Sequence, residues 1–325
     1  MLDDDNDWNF KPIERPLCEQ KPSKGGAEPA KESTGECHKA GDVPAFMARE
    51  PFYDMGNLVL PSETMGQLQA LKARFERHSL VYDQWGLSKT DPCGRHIAFN
   101  LYGPPGTGKT MCVEAVTRLF GKRLIDVSYA EIESKYVGDT GKNIVAAFDA
   151  AKRQNAVLFF DEADSILGQR MSSVTQAADQ AVNVSRAVML KQLDAFDGIV
   201  AFATNFAKNF DSAFVRRISF HIEIPLPDRD GRRLIAEKLV PVDVPFKDKI
   251  DFARIADLAE GMSGGDLKNI IVNAICSLAA VDWGHMGEDA ITDEFVKQIE
   301  YTRKAKENVG HAAVVVSQEE IGGLM

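Results

Sequence analysis

The chain has 325 residues, of which 44% are hydrophobic and 26% are charged, and its formal net charge at pH 7 is −10. At roughly 150 residues per domain, this length predicts about two domains, whose cores need no disulfide or metal ion. The acidic balance disfavours a protein that coats nucleic acid or an anionic membrane, although a local basic lining, for instance in a pore, stays compatible with it.

Targeting signals and cysteine usage favour a cytoplasmic protein that does not contact a membrane. No run of residues approaches the roughly 18–20 apolar residues of a membrane span. Residues 1–5 are acidic and lack the hydrophobic core of a secretion signal. The five cysteines are scattered and form no C-x-x-C pair, so we expect free thiols in a reducing compartment.

Composition and pattern divide the chain into four predicted segments. Residues 1–48 are rich in Pro, Lys, Glu, Ser and Gly, which is typical of a disordered arm that is either inert or docks a partner. Residues 49–227 alternate between strand and helix patterns, and residues 228–308 carry helical patterns alone. Residues 309–325 are expected to form a short tail.

Strand and helix patterns follow one another from residue 65 onward. Short apolar runs predict strands at residues 97–102, 124–127, 156–160, 199–203 and 221–224. Helices are predicted at residues 65–75, 110–120, 143–152, 180–197, 228–240, 266–282 and 292–306. The alternation predicts a parallel α/β sheet, in which the apolar run 156–160 fits a central strand buried on both faces.

The region after Pro227 is predicted to be a smaller, all-helical domain. Asp228 is placed to cap the first of its helices. The clearest helical pattern carries apolar residues at i, i+3, i+4, i+7, i+8 and i+11, which predicts a broad buried stripe. These residues are Leu267, Ile270, Ile271, Ala274, Ile275 and Leu278.

A glycine-rich loop between a predicted strand and a predicted helix matches the phosphate-binding pattern G-x-x-x-x-G-K-[ST] over residues 103–110. Its glycines let successive backbone N–H groups face phosphate oxygens, Lys109 can reach the β- and γ-phosphates, and the Thr110 hydroxyl can bind Mg²⁺. A chance match on a surface loop is the alternative, and the strand–loop–helix context disfavours it. The predicted nucleotide-binding residues here are Pro105, Gly106, Thr107, Gly108, Lys109, Thr110 and Met111.

Two carboxylates follow the apolar strand at residues 156–160. In open α/β sheets, ligands bind at the carboxyl ends of the strands. We therefore expect Asp161 to hold Mg²⁺ together with Thr110, and Glu162 to deprotonate an attacking water. A strand-to-helix turn with acidic caps is the alternative, which the preceding phosphate loop disfavours.

Together, the loop and the acidic strand end resemble those of the AAA clade of the AAA+ ATPases, over roughly residues 52–305. The resemblance implies a parallel-sheet P-loop NTPase domain followed by a small helical lid. It also implies ATP and Mg²⁺ as cofactors, and assembly into homo-oligomeric rings, usually hexamers.

The resemblance extends to residues that sense or complete the catalytic site. Asn205 ends a predicted strand and matches the family's first sensor, with an ordinary turn asparagine as the alternative. Arg216 and Arg217 match the arginine fingers that reach the γ-phosphate of a neighbouring subunit. An exposed basic pair is the alternative. With Lys109 and Glu162, these residues form the expected catalytic set.

Two further segments resemble nucleotide contacts of the family. Gly264 and Gly265 open the striped helix and match the lid motif that faces the nucleotide. Many relatives carry an arginine second sensor there, and this chain has Gly265 instead. Asp54 and Gly56 resemble the segment that contacts adenine.

The segment at residues 133–142 resembles the pore loop of protein-threading relatives. Lys135, Tyr136 and Val137 would contact a substrate chain in the centre of the ring, with Tyr136 gripping it by apolar contact. The alternative is a tyrosine packed over the edge of the core beside a solvated lysine.

The expected function is therefore an ATP-hydrolysing protein remodeller that threads a polypeptide, and no H-E-x-x-H peptidase motif accompanies it. Residues 140–142 are similar to those of the pachytene-checkpoint type of ATPase. This similarity makes a HORMA-domain protein in bacterial antiphage defence the narrower expectation. An ATP-gated scaffold or a nucleic-acid clamp loader is the alternative function, which the acidic charge disfavours. A regulatory switch with negligible turnover is disfavoured by the intact catalytic set.

Overall fold

The computed structural model describes residues 46–91, 95–128, 132, 139–168, 177–205 and 210–322. The chain divides into two units, and all of these residues belong to the larger one, residues 44–325. In the described part, the parallel strands form one sheet in the order β2-β3-β4-β1-β5. Their bounds are Ile97–Tyr102 (β1), Leu124–Ser128 (β2), Val157–Asp161 (β3), Ile199–Thr204 (β4) and Phe220–Glu223 (β5).

Helices join and follow the strands. The α-helices before β5 are Ser62–Ser79 (α1), Lys109–Leu119 (α2), Asp139–Gln154 (α3), Asp164–Leu167 (α4), Ala177–Ala195 (α5) and Ser212–Val215 (α6). Those after β5 are Arg229–Leu239 (α7), Phe252–Leu258 (α8), Gly264–Ala279 (α9) and Glu288–Gly322 (α10). Short 3-10 turns lie at Met55–Asn57, Leu87–Lys89, Lys247–Lys249 and Trp283–His285. The predicted parallel α/β sheet with a helical region after it is confirmed.

The centre of the sheet is buried because its strands are built almost wholly from apolar residues. Phe159 in β3 and Phe99 in β1 are fully buried, as expected for strands covered on both faces. On one face, Phe160 stacks on Phe202 of β4 with ring centroids 5.5 Å apart. Helices α3 and α5 pack against each other, and their apolar residues join this core. The rigid sheet thereby fixes the positions of the loops at its carboxyl edge.

The helices after β5 have a hydrophobic core of their own. The predicted stripe of α9 is confirmed, since five of its six residues are buried and Ile275 packs against them. Helix α9 packs on α7 and on α10, which contributes Ile291, Phe295 and Ile299. The predicted cap of α7 is also confirmed, because Asp228 Oδ1 accepts from Gly231 N at 2.7 Å. We call helices α7–α10 the lid.

Helices α1 and α10 differ most in length from their predictions. Helix α1 begins earlier than expected and continues as a π-helical turn, Leu80–Gln84, in which Tyr82 is buried and stacks on His78. Helix α10 was predicted to end near residue 306, with a tail from residue 309, but its backbone continues to Gly322. This stretch contains no proline and few turn-forming residues, so Gly310 alone does not end the helix. In the described part of the chain, no helix is long and apolar enough to cross a membrane.

The segment before α1 packs against the sheet and the helix after the phosphate loop. Gln154 hydrogen-bonds both Phe46 O and Ala48 N, so the chain is packed from just before the predicted boundary at residue 48. Arg49 pairs with Leu124 through two backbone hydrogen bonds of 2.8 Å. Its side chain also donates to the buried Glu114 of α2 at 2.8 Å. The proposed arm at residues 1–48 lies almost wholly outside the described residues, and the four segment boundaries stay predictions.

Candidate functional site

The loop at residues 103–110 connects β1 to α2, and its glycines adopt backbone conformations that other residues avoid. Gly106 and Gly108 have φ values of +77° and +93°, in the left-handed region. A Cβ atom on Gly103 would lie 2.1 Å from the carbonyl oxygen of Ile224, so only glycine fits there. Gly108 caps α2 without a side chain. The positive end of α2 therefore meets no capping carboxylate or hydroxyl, which suits a bound phosphate.

Lys109 folds back over this loop and is buried. Its Nζ donates to the carbonyl oxygens of Gly103 and Pro104 at 2.9 Å each. Burial lowers the pKa of Lys109, while the nearby charges of Asp161 and Asp164 act in the opposite direction. A desolvated ammonium held by neutral carbonyls gains strongly from an anionic partner, so the placement fits a phosphate-binding lysine.

Thr110 and Asp161 lie within hydrogen-bond distance across the site. The Thr110 hydroxyl donates to Asp161 Oδ2 at 2.9 Å, which brings the first turn of α2 to the carboxyl end of β3. Mg²⁺ prefers oxygen ligands, and in phosphate-loop sites it takes one or two from the protein and others from phosphates and water. One hydroxyl and one carboxylate at this spacing fit such a site, so Thr110 and Asp161 are the residues that would hold Mg²⁺.

Glu162 follows directly at the end of β3 and is exposed. Its φ of +51° is uncommon for a residue that carries a side chain, and its N–H donates to Asp161 Oδ1 at 2.8 Å. Strained backbone of this kind is often retained at functional sites because it directs a side chain. The turn thus separates the two carboxylates, with Asp161 facing Thr110 and Glu162 exposed to solvent.

Asn205 lies at the end of β4, which is the neighbour of β3 in the sheet. Its backbone N–H donates to Asp164 Oδ2 at 3.2 Å. A second hydrogen bond between the ends of β3 and β4 runs from Ala163 N to Ala203 O at 3.0 Å. Asn205 is therefore placed at the same edge as Asp161 and Glu162. Asp164, which the sequence reading gave no role, is the residue that ties these strand ends together.

The lid contacts the phosphate loop through the start of α9. Gly265 N donates to Gly106 O at 2.9 Å, and Gly264 lies beside the same carbonyl. A Cβ atom on Gly106 would lie 2.6 Å from Ser263 Oγ, so the two segments meet closely. The structure thus brings the predicted lid residues Gly264 and Gly265 to the predicted nucleotide site.

Asp54 and Gly56 are near the lid rather than hydrogen-bonded to the phosphate loop. Asp54 Oδ1 accepts from Gly56 N at 2.9 Å and so caps the 3-10 turn that begins at Met55. Lys238 of α7 donates to Gly56 O at 2.7 Å. The described contacts therefore connect this segment to the lid, and its role as an adenine contact stays a prediction.

Arg216 and Arg217 lie at the end of α6, just before β5. Arg217 makes a two-pronged ion pair with Asp194 of α5, at 2.7 and 2.8 Å, and also donates to Ala213 O. The hydrogen bond from Arg217 lowers the pKa of Asp194, and the same bond raises the pKa of Arg217. Arg216 is exposed, and among the described residues its Nε donates to Ser212 O at 3.2 Å. The two arginines therefore have different surroundings, which their adjacency in sequence does not indicate.

Lys135, Tyr136 and Val137, the predicted pore loop, lie outside the described residues. Other residues of the site escaped sequence reasoning because their role depends on contacts between distant segments. Asp164 lies in the segment Asp161-Glu162-Ala163-Asp164, whereas Asp194 and Lys238 carried no local signal.

Comparison with known proteins finds one family model and several relatives to which the chain is similar. Residues 99–226 match the family model described as the ATPase family associated with various cellular activities (AAA). The chain is 33% identical over 215 residues to a proteasome-activating nucleotidase of Methanopyrus kandleri, which is 64% of this chain and 48% of that protein.

Two relatives carry other names. The chain is 35% identical over 178 residues to spastin of Anopheles gambiae, covering 51% of this chain and 21% of that protein. It is also 35% identical over 189 residues to the katanin p60 ATPase-containing subunit A1 of Strongylocentrotus purpuratus, covering 54% of this chain and 35% of that protein. The chain spans about half the length, or less, of the curated relatives it matches.

Proposed function

We propose that this protein hydrolyses ATP and uses the energy to remodel protein substrates, since residues 99–226 match the AAA ATPase family model. The observation that carries the proposal is the convergence of two carboxylates, one hydroxyl and one buried lysine. Thr110 bonds Asp161 directly, Lys109 lies in the phosphate loop, and Glu162 adjoins Asp161. These are the groups that phosphoryl transfer requires.

Each group has a role that follows from its placement. Backbone N–H groups of the loop and Lys109 bind the β- and γ-phosphates of ATP. Thr110 and Asp161 would hold Mg²⁺, which would supply charge neutralisation at the phosphate oxygens. Glu162 accepts a proton from the attacking water, and Asn205 orients that water or the γ-phosphate. The products are ADP and inorganic phosphate.

The substitution Glu162→Gln tests this assignment. It removes the proton acceptor and leaves the phosphate loop unchanged, so ATP should still bind while turnover falls by about a hundredfold or more. Binding is measured with a fluorescent ATP analogue, and turnover is measured as phosphate release. The matched control is Glu300→Gln, which changes an exposed carboxylate of α10 that has no ion-pair partner among the described residues. Turnover of Glu162→Gln at the parent rate would show that Glu162 is not the base.

The proposed substrates are proteins. Support comes from the similarity to proteasome-activating nucleotidases, spastin and katanin, together with the resemblance of residues 133–142 to a pore loop. The similarity of residues 140–142 to the pachytene-checkpoint type adds HORMA-domain proteins of bacterial antiphage defence as a narrower proposed substrate class. We also propose that the working form is a homo-oligomeric ring in the cytoplasm.

Stimulation of ATP hydrolysis distinguishes these substrates from those of the alternative function. A remodeller should turn over ATP faster with an unfolded protein or with a HORMA-domain protein. A clamp-loader-like switch should respond to DNA instead. Capture by the Glu162→Gln variant, followed by mass spectrometry, then identifies the protein substrate.

A further inference from the structure

We propose that Lys306, in the last helix, is a positioning residue for nucleotide binding. It acts through Asp266 on the contact between the lid and the phosphate loop. The inference rests on the proposed function, since it concerns the same nucleotide site. It adds a residue that lies far from the phosphate loop in sequence and that belongs to none of the predicted nucleotide contacts.

The first step is the contact that Lys306 would control. The carbonyl oxygen of Gly106, in the middle of the phosphate loop, accepts a hydrogen bond from Gly265 N at 2.9 Å. A Cβ atom on Gly265 would lie 3.4 Å from Gly106 Cα, so the two backbones are in direct contact. Holding that carbonyl toward the lid fixes the orientation of the adjoining peptide groups. A loop that is already ordered loses less conformational entropy when phosphate binds.

The second step is the cap that holds the start of α9. Ser263 and Asp266 form a capping box, with Ser263 N donating to Asp266 Oδ2 at 2.7 Å and Asp266 N donating to Ser263 Oγ at 3.3 Å. The Ser263 hydroxyl donates to the same Asp266 oxygen at 2.7 Å. The position of Ser263 over Gly106 therefore depends on where the Asp266 carboxylate is held.

Lys306 contacts the carboxylate of this capping box. Its Nζ donates to Asp266 Oδ2, so this one oxygen accepts from Ser263 N, Ser263 Oγ and Lys306. The Asp266 side chain is 16% exposed and that of Lys306 is 51% exposed, so the ion pair lies at the edge of the lid. Burial raises the pKa of Asp266, but the hydrogen bonds from Lys306 and Ser263 outweigh it and leave the pKa below its ordinary value. Asp266 is thus held as an anion.

Helix α10 holds Lys306 at a defined place. Arg254 of α8 pairs with Asp293 of α10 at 2.7 Å, and Arg303 donates to Leu258 O at 2.6 Å. Ile299 is buried in the lid core about two turns before Lys306. A lysine on an anchored helix loses less freedom when it forms its ion pair, which favours a positioning role.

The negative charge of Asp266 is a second reason to expect that Lys306 affects nucleotide binding. Asp266 lies in the first turn of α9, one residue from the contact with the phosphate loop. An uncompensated carboxylate there would repel the phosphates of ATP. Lys306 neutralises that charge without removing the cap, so its loss should weaken nucleotide binding both by loosening α9 and by exposing the anion.

The test measures nucleotide affinity in a set of matched variants of the full chain. Because Lys306 is half exposed, Lys306→Ala should weaken binding of a fluorescent ADP analogue by only about three- to tenfold. The ATP KM should rise while kcat stays near the parent value. Lys306→Arg should restore binding, since it can donate to the same oxygen. The control is Lys304→Ala, which removes an equal charge from an exposed position without a partner among the described residues, and which should bind as the parent does.

A double-substitution cycle isolates the pair. Asp266→Asn keeps an oxygen for Ser263 but removes the charge, so Lys306→Ala in that background should change affinity less than twofold. Unfolding temperatures, measured without nucleotide, identify any variant that fails to fold.

The outcomes separate this inference from the proposed function. If the parent binds nucleotide and Lys306→Ala binds equally well or more tightly, Lys306 is not a positioning residue. Equal losses from Lys304→Ala, or undiminished loss in the Asp266→Asn background, would also overturn the inference. If the parent itself binds no nucleotide, the proposed function fails first.

Discussion

Among single residues, the two adjacent arginines illustrate how environment divides roles. Arg217 is held inside its own chain by Asp194, whereas Arg216 is exposed and, among the described residues, donates to one backbone carbonyl. A guanidinium that must reach a neighbouring subunit has to leave its partners first. Arg216 is therefore the better candidate for the finger that acts on another copy, and Arg217 for the residue that holds the α5–α6 junction in place.

Mixing two inactive variants tests action between copies. Arg216→Ala keeps its own phosphate loop and Glu162, but it cannot supply a finger. We expect its turnover to fall by about 10³-fold, because a planar cation no longer offsets transition-state charge. Glu162→Gln is inactive because it lacks the proton acceptor, but it still supplies Arg216 to a neighbouring copy. Phosphate release should therefore return when the two are mixed, and a mixture as inactive as its components would contradict action in trans.

Glu162 shows what residue patterns can and cannot predict. The apolar run followed by two acidic residues places the carboxylates at a sheet edge. The left-handed backbone that separates them is not visible in residue type, because glutamate rarely adopts it. The same limit applies to Asp194, whose partner lies 23 residues away along the chain.

Among the elements, strands and helices with one clear period were predicted well. The five strands and the stripe of α9 follow from hydrophobic pattern alone, and the structure confirms them. The predicted end of α10 was wrong, since the interior pattern of a helix does not fix where the helix stops. The bond from Arg49 to Glu114 joins residues 65 apart, and neither carries a local signal for the other.

The lid contacts the phosphate loop at the start of α9. It has its own hydrophobic core, and among the described residues its backbone hydrogen bond to the loop runs from Gly265 to Gly106. A single hydrogen bond of this kind contributes roughly 1 kcal/mol, so small changes in the lid can change the order of the loop. Because this contact is weak, the ion pair between Lys306 and Asp266 matters for nucleotide binding.

The predicted pore loop has its own test. Tyr136→Ala removes the aromatic side chain that would grip a substrate, while the nucleotide site stays intact. Basal ATP hydrolysis should remain within about twofold of the parent, and unfolding of a tagged model substrate should be lost. Tyr136→Phe, which keeps the apolar contact, should retain unfolding. Equal unfolding by Tyr136→Ala and the parent would show that Tyr136 does not grip the substrate.

For the whole molecule, the central proposal is that one chain does not hold a complete catalytic site. Lys109, Thr110, Asp161 and Glu162 are together, but neither arginine is hydrogen-bonded to any of them in the described contacts. Closed rings of identical subunits bring one surface of each copy against a different surface of the next. Such an interface would place Arg216 of one copy at the phosphate loop of its neighbour.

The most direct measurement is electron microscopy of the Glu162→Gln variant with saturating ATP and Mg²⁺, conditions that hold the nucleotide without turnover. We expect closed rings of about six copies, each with Arg216 at the nucleotide of the adjoining copy. Particles that remain single copies under these conditions, with ATP bound, would contradict it.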